Sequence, residues 1–260
     1  MMTGTFAAPR DVRAERAYFD EMVEHLTSNI EFDEKRLQRP VEQWRTPESL
    51  ALAAEDAVKH RWVRFSALYS AGASEARLRD DFDDILTAAE RATRLEKQHF
   101  PPGLIQLHFR NPKVKDHYLA WLRLVSLAVA FEVDEATFDR VVSAVEFGWG
   151  DRLIDGLIGT RKPDRVVGEE LLFPRSVGPL ADALSDEAEA VEDVARYLAK
   201  WYTAWKGIWG WSEHELVPKK RYHGYWAFEA LGVVGALRLD DSSFRENEYY
   251  PRDLAAPALS

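Results

Sequence analysis

One stretch near the C-terminus constrains the fold more than any other part of the chain. Residues 222–239, YHGYWAFEALGVVGALRL, carry apolar side chains that would point in every direction around a helix. This pattern predicts a helix surrounded by other elements. Glu229 has no Lys or Arg within one turn, so it needs a partner from elsewhere, because an unpaired buried carboxylate is costly. Gly232 and Gly235 each cost ~1 kcal/mol in a helix unless another backbone approaches closely.

The residues after this predicted helix form a second recognisable pattern. Asp240, Asp241, Ser242 and Ser243 favour a turn, which predicts the end of the helix. An extended Tyr249-Tyr250-Pro251 segment follows, since a proline biases the residue before it away from helix.

These two patterns together resemble the C-terminal signature of the PoNi-like immunity proteins. The opening sequence RDVRAERAYFDEM, which begins at Arg10, resembles the start of the same family's N-terminal domain. We expect the C-terminal signature residues to define the fold rather than contact a partner; they are Gly224, Tyr225, Trp226, Ala227, Glu229, Ala230, Asp240, Asp241, Ser242, Ser243, Tyr249, Tyr250, Pro251, Asp253 and Leu254.

The resemblance implies a function and a domain organisation. It implies an immunity protein without catalytic activity that binds and neutralises a cognate PoNe-type antibacterial DNase toxin. The toxin would be of the kind delivered by interbacterial secretion systems, and the immunity protein would protect the producing cell and its kin. It further implies an N-terminal helical domain over residues 8–132 and a C-terminal one over residues 133–255. No cofactor or metal is expected.

Composition narrows the class of protein. A chain of 260 residues with 46% apolar content can bury a large core, which is typical of a soluble globular protein. The absence of cysteine excludes disulfides, thiol nucleophiles and cysteine-ligated metals. The longest apolar run, 118–131, is too short to span a bilayer and contains Arg123. Without a recognisable signal sequence, we expect a cytoplasmic protein that does not bind membranes.

The charge of the chain argues for one kind of partner and against another. The net charge is −10, and both halves of the chain are acidic. Nucleic-acid binding is disfavoured because that affinity comes mainly from Lys and Arg at phosphates. An acidic surface would instead attract a basic protein partner and speed its association. The oligomeric state has no signal in the sequence.

Capping residues and apolar periodicity predict an all-α fold, a bundle of about eight or more helices in two packed subdomains. Helix-start signals recur at Thr46-Pro47, Ser74, Asp134 and Ser185-Asp186. We predict helices at 11–38, 48–71, 74–99, 113–131, 134–147, 151–159, 186–206 and 222–239.

Two acidic clusters are the best candidates for contact with a basic toxin. The first is a run with no basic residue: Asp182, Asp186, Glu187, Glu189, Glu192 and Asp193. On the helix predicted from residue 186, the apolar face would leave Glu189, Glu192 and Asp193 in water. Acidic residues near a helix N-terminus are also favoured by the helix dipole, so structure alone explains some of them. The second cluster is Asp80, Asp81, Asp83 and Asp84, which we expect on an exposed helix face.

The second cluster also supports a competing hypothesis. Asp80, Asp81 and Asp84 have the DDxxD spacing by which all-helical isoprenoid-diphosphate synthases hold Mg²⁺. Asp240, Asp241 and Glu248 fall at the spacing of the second metal motif of those enzymes, but its hydroxyl position is Phe244 in this chain. Phenylalanine cannot bind a metal, which disfavours the enzyme.

Four tryptophans lie close together at 201, 205, 209 and 211. Trp201 and Trp205 share the apolar face of a predicted helix and should pack in the core. Trp209 and Trp211 fall in a predicted loop, where tryptophan could anchor a partner. The histidines are scattered, and no HExxH, GxSxG or phosphate-binding glycine motif is present.

Overall fold

The computed structural model describes residues 9–100, 114–145, 150–219 and 221–255. Within these ranges the chain forms nine α-helices and no strand, so the predicted all-α fold is confirmed. The helices are α1 (Arg16–Leu37), α2 (Pro47–Ala71), α3 (Glu75–His99), α4 (Lys115–Ala130), α5 (Glu135–Val145), α6 (Arg152–Gly159), α7 (Pro174–Ser185), α8 (Ala190–Ala204) and α9 (Ala230–Leu237).

The chain divides into two compact units. The first unit comprises Met1–Phe109 and Gly210–Gly224, and the second comprises Arg110–Trp209 and Tyr225–Ser260. The segment 210–224 therefore belongs to the first unit although it follows α8 in sequence. The expected division of the family's two domains between residues 132 and 133 stays a prediction. Residues 113, 146 and 147, at the ends of two predicted helices, lie outside the described residues.

In the first unit, α2 packs against both α1 and α3. Two of the predicted helix starts are confirmed by their caps. The Thr46 hydroxyl accepts a hydrogen bond from the backbone N–H of Ser49 at 3.3 Å, and Ser74 does the same for Arg77 at 3.3 Å. Helix α2 ends at Gly72, whose positive φ of 87° suits a residue without a side chain.

Helix α1 begins later than the sequence predicts. Asp11, expected at its start, is buried and precedes the helix. Its carboxylate accepts hydrogen bonds from the backbone N–H of Arg13, at 2.9 Å, and from the Tyr222 hydroxyl. A long-range hydrogen bond thus holds Asp11 in an irregular segment that local helix propensity could not anticipate.

In the second unit, α9 packs against α4, and the two glycines of α9 lie at that contact. A Cβ added to Gly232 would lie 2.7 Å from Ser126 Cα, and one added to Gly235 would lie 3.3 Å from Ala130 Cα. The close backbone approach that the sequence required at these glycines is therefore present.

The helix predicted over 222–239 is wrong in its first half. Only Ala230–Leu237 is helical, while residues 222–227 are irregular, and all of them except His223 are buried. Gly224 has a φ of 107°, and the backbone N–H of Ala227 donates to the Tyr249 carbonyl at 2.8 Å. The segment buries apolar side chains in every direction, as predicted, but its backbone hydrogen bonds go to distant residues.

Helix α7 was not predicted, and it moves the start of the next helix. Its sequence contains Pro174, Gly178 and Pro179, which disfavour helix locally. Pro174 occupies the first turn, where proline is tolerated, and Val177 and Leu180 are fully buried. Burial of this apolar face outweighs the local preference. Because α7 runs to Ser185, the helix predicted from residue 186 begins instead at Ala190.

Candidate functional site

The buried carboxylate of Glu229 forms the centre of a polar network inside the second unit. Glu229 is fully buried, and Arg123 of α4 donates to it at 3.0 Å. The Tyr197 hydroxyl and the Trp201 indole N–H, both on α8, donate to its other oxygen. Burial, reinforced by the charge of Glu229, raises the pKa of Tyr197 well above its ordinary value. Arg123 is the distant partner that the sequence required, and the network ties three helices together.

The acidic cluster on α3 is divided between solvent and core. Asp80 and Asp83 are exposed, whereas Asp81 is only 2% exposed and lies 2.6 Å from the Arg64 guanidinium. Burial raises the pKa of Asp81, although Arg64 and Arg77 oppose the shift. The predicted exposure is therefore wrong for Asp81. Neighbouring residues on a helix point about 100° apart, so Asp81 lies on the side of α3 that packs against α2.

Asp84 extends this ion-pair network across α1, α2 and α3. Its carboxylate lies 2.7 Å from Arg64 and 3.0 Å from Arg61. Arg61 in turn contacts Glu34 of α1 at 2.7 Å, and Glu34 also pairs with Arg91 of α3. The hydrogen bond from Arg91 lowers the pKa of Glu34, and Arg61 adds to this effect. These acids hold helices together.

The DDxxD spacing does not produce an open metal-binding face. Asp81 and Asp84 face arginines of α2, while Asp80 faces solvent. In the proposed second motif, Asp241 pairs with Arg245 at 2.6 Å. Across the described ranges, no group of three or more histidines and acids is arranged to hold a metal ion. The structure offers no support for the isoprenoid-synthase hypothesis.

The other acidic cluster surrounds the short connection between α7 and α8. Its exposed acids with no ion pair to any described residue are named here the acidic turn: Asp186, Glu187, Glu189 and Glu192. The Asp186 carboxylate accepts a hydrogen bond from the backbone N–H of Ala188 at 3.1 Å, which shapes the connection. The acidic turn therefore presents negative charge to solvent without neutralisation by Lys or Arg.

The two remaining acids of this run are paired. Asp182 is exposed and pairs with Arg152 of α6 at 3.0 Å. Asp193 is 3% exposed and pairs with Arg196, so its expected exposure is wrong. Burial raises the pKa of Asp193 against the influence of Arg196, and the charge of Asp182 adds to the rise. The exposure of Asp193 was predicted without α7, which packs against α8.

The four tryptophans separate into buried and accessible pairs. Trp201 and Trp205 are buried, as their position on the apolar face of α8 predicts. Trp209 is 42% exposed, and its backbone N–H donates to the Asp116 carboxylate at 2.6 Å. Trp211 is half-buried. Trp209 is thus the more accessible of the two candidate anchors.

These features define an all-helical protein in which many acids form ion pairs between helices and one acidic turn is left to solvent. Residues 149–254 match the family described as PoNe immunity proteins (PoNi), C-terminal. The recognition from the sequence is confirmed for this part of the chain, which the family model matches. The match covers α6–α9 and the signature up to Leu254.

A comparison with solved structures agrees on the fold. The crystal structure of protein PA2201 from Pseudomonas aeruginosa matches with a TM-score of 0.69 and 21% sequence identity. The match covers 95% of this chain and 89% of that one. At this identity the likeness shows the fold alone. A search of the curated proteins found no match.

The family is one of immunity proteins, which implies an immunity function and a toxin as partner. Such proteins generally act without catalysis. Among the described residues, no helix combines the length and apolar character needed to cross a membrane.

Proposed function

We propose that this protein binds a cognate PoNe-type DNase toxin and neutralises it without catalysis, protecting the producing cell and its kin. The family match over residues 149–254 carries this proposal. The toxin that we expect is basic, because a DNase must hold the phosphates of DNA with Lys and Arg.

The acidic turn is the surface that we propose for the first contact. Its four carboxylates have no ion pair with any described residue, so binding a basic surface breaks no existing pair there. Asp182 lies at one end and can exchange Arg152 for a cation of the toxin. Negative charge on this surface would speed encounter with the toxin and compete with DNA for the same cations.

The other candidate residues from the sequence have different roles in this proposal. Asp80 and Asp83 form a second, smaller acidic surface, and Trp209 and Trp211 are candidate aromatic anchors. Three other acids stabilise the fold instead of contacting the toxin, because their carboxylates are directed at arginines of this chain: Asp81, Asp84 and Asp193.

The experiment is co-expression with a PoNe-type nuclease toxin from the same genome. The protein should restore growth of a host that expresses the toxin, and the two should co-purify. In a DNA-cleavage assay, inhibition should be complete at a fixed molar ratio of the two proteins and should not spread to an unrelated DNase. Absence of both protection and co-purification would reject the proposal. Time-dependent loss of toxin activity at far below equimolar protein would show catalysis instead.

A further inference from the structure

The loop between α6 and α7, residues 160–173, presents an apolar side chain to solvent. Val166 is 85% exposed and Val167 is 45% exposed. A single exposed valine is ordinary, because much of any protein surface is apolar. What sets this loop apart is the number of contacts that hold the valines in place.

One buried carboxylate ties down the residues on both sides of the valine pair. Asp155 of α6 is 3% exposed. Its Oδ1 accepts hydrogen bonds from Arg165 Nε at 2.9 Å and Nη2 at 2.7 Å. Its Oδ2 accepts a hydrogen bond from the backbone N–H of Gly168 at 3.2 Å. The chain therefore cannot relax around Val166 without breaking hydrogen bonds to a buried charge.

A close backbone contact fixes the same loop on its other side. A Cβ added to Gly168 would lie 2.6 Å from the carbonyl carbon of Gly150, so only glycine fits there. Val167 approaches α6, because its Cγ2 would lie 3.8 Å from a Cβ added to Gly159. Val166, between these contacts, is held outward. A preorganised apolar side chain loses little conformational entropy when a partner covers it.

The surroundings of the valine pair are acidic. Asp164, Glu169 and Glu170 are exposed, and none has an ion pair with any described residue. The loop's own cations are paired within this chain: Arg161 and Lys162 with Glu135, and Arg165 with Asp155. Arg175, in the first turn of α7, is exposed. The charge around the loop therefore favours a basic partner over an acidic or uncharged one.

Arg152 connects this loop with Asp182, which lies one helical turn before Asp186 of the acidic turn. Its backbone N–H donates to the Glu170 carbonyl at 2.8 Å, and its guanidinium donates to Asp182 at 3.0 Å. The end of the loop and the acidic side of α7 thus meet at one residue of the second unit. A partner attracted to the acidic turn would reach the loop as part of the same surface.

We propose that Val166 is the apolar anchor of the toxin interface, inserting into a small apolar depression on the basic face of the toxin. The acids of the loop and of the acidic turn surround it and pair with the toxin's Lys and Arg. This inference rests on the proposed function. In this arrangement the charges set the rate of encounter, and the valine sets the lifetime of the complex.

Association kinetics with the purified nuclease toxin test this division of roles. Val166→Ser should raise the dissociation rate about tenfold and leave the association rate unchanged, because the lost apolar burial affects only the docked complex. Val12→Ser is the matched control, since Val12 is 91% exposed in the other unit and lies beside Arg13. Both variants should keep the wild-type thermal midpoint, because neither side chain is buried.

A second measurement follows hydrogen exchange in the wild-type complex. The amides of residues 165–168 should become more protected when the toxin binds, while those around Val12 should not. A Val166→Ser complex as long-lived as the wild-type complex, or unchanged exchange at 165–168, would overturn the anchor while leaving the proposed function in place. A wild-type protein that does not bind the toxin would overturn both.

Discussion

The acidic run on α3 and the acidic run at the α7–α8 connection look alike in sequence, yet their carboxylates have different surroundings. On α3, Asp81 and Asp84 point at Arg64 and join the ion pairs between helices. In the acidic turn, none of the four acids has an ion pair with a described residue. Acid content alone therefore does not distinguish acids that pair within the fold from acids that are left to solvent; the tertiary structure does.

The largest expected effect tests whether the α3 acids are structural. Arg64→Ala should lower the free energy of unfolding by about 3 kcal/mol, because it leaves Asp81 buried without its nearest cation. Urea unfolding near neutral pH measures this loss. The loss should shrink in acid, since burial already raises the pKa of Asp81 and protonation removes the unpaired charge.

Arg77→Ala is the control for this experiment. Arg77 lies 3.9 Å from Asp81 with its side chain 51% exposed, so its removal should cost at most about 1 kcal/mol. Equal losses of unfolding free energy in Arg64→Ala and Arg77→Ala would show that the pair between Arg64 and Asp81 does not stabilise the fold more than an exposed contact does.

The second effect tests whether the acidic turn is the toxin-facing surface. Glu187→Lys with Glu189→Lys should slow association with the toxin about tenfold at low salt, because the charges act mainly on encounter. The difference should shrink as salt is added, since screening shortens the range of the charges. The matched variant, Asp80→Lys with Asp83→Lys, changes two exposed acids of α3. If it slows association as strongly, net charge rather than the acidic turn controls encounter.

The third effect concerns the pH dependence of the ion pairs. The pKa of Glu34 is lowered by Arg91 and Arg61, so its contribution is complete above the ordinary Glu pKa of about 4.3. It is lost as the pH falls through the lowered value. The wild-type protein should therefore lose more stability than Glu34→Gln between about pH 5 and pH 3. Urea unfolding of both proteins over that range measures this loss. If the free energies of unfolding of the two proteins fall equally with pH, the pairing of Glu34 is contradicted.

The smallest effect has the opposite sign. Because the pKa of Asp193 is raised, the folded protein holds that proton more tightly than the unfolded chain does. The wild-type protein should lose stability, relative to Asp193→Asn, as the pH rises from about 3.9 through the raised value. Urea unfolding of both proteins at several pH values, from about pH 3 to about pH 7, measures the difference in the free energy of unfolding. If the free energy of unfolding of the wild-type protein rises relative to that of the variant as the pH increases, the burial of Asp193 is contradicted.

The outcome for individual elements shows where sequence reasoning succeeded. The starts of α2 and α3 were predicted because Thr46 and Ser74 cap backbone groups three residues away. The start of α1, the whole of α7 and the first half of 222–239 were missed. In each, hydrogen bonds or burial against distant residues overrode the local preference, as the bond from Tyr222 to Asp11 illustrates.

The candidate site was predicted in the same uneven way. The exposure of the acidic turn follows from its composition, but the burial of Asp81 and Asp193 does not, because it depends on which neighbouring helix covers each residue. The loop between α6 and α7 had only a weak signal in the sequence, the apolar pair Val166 and Val167 among charged residues. Its anchoring to Asp155 depends on a hydrogen bond from Gly168, thirteen residues away, which no local pattern encodes.

The sequence by itself determined the all-helical class, the start of several helices and the family of the C-terminal part, because these depend on residues within a turn or on a contiguous signature. The tertiary structure alone decided which acids pair with arginines and which face solvent. Arg64 lies twenty residues from Asp84 in the chain, and their contact exists only after α2 and α3 pack together. Packing thus divides one excess of negative charge into acids that stabilise the fold and acids that are free to bind a partner.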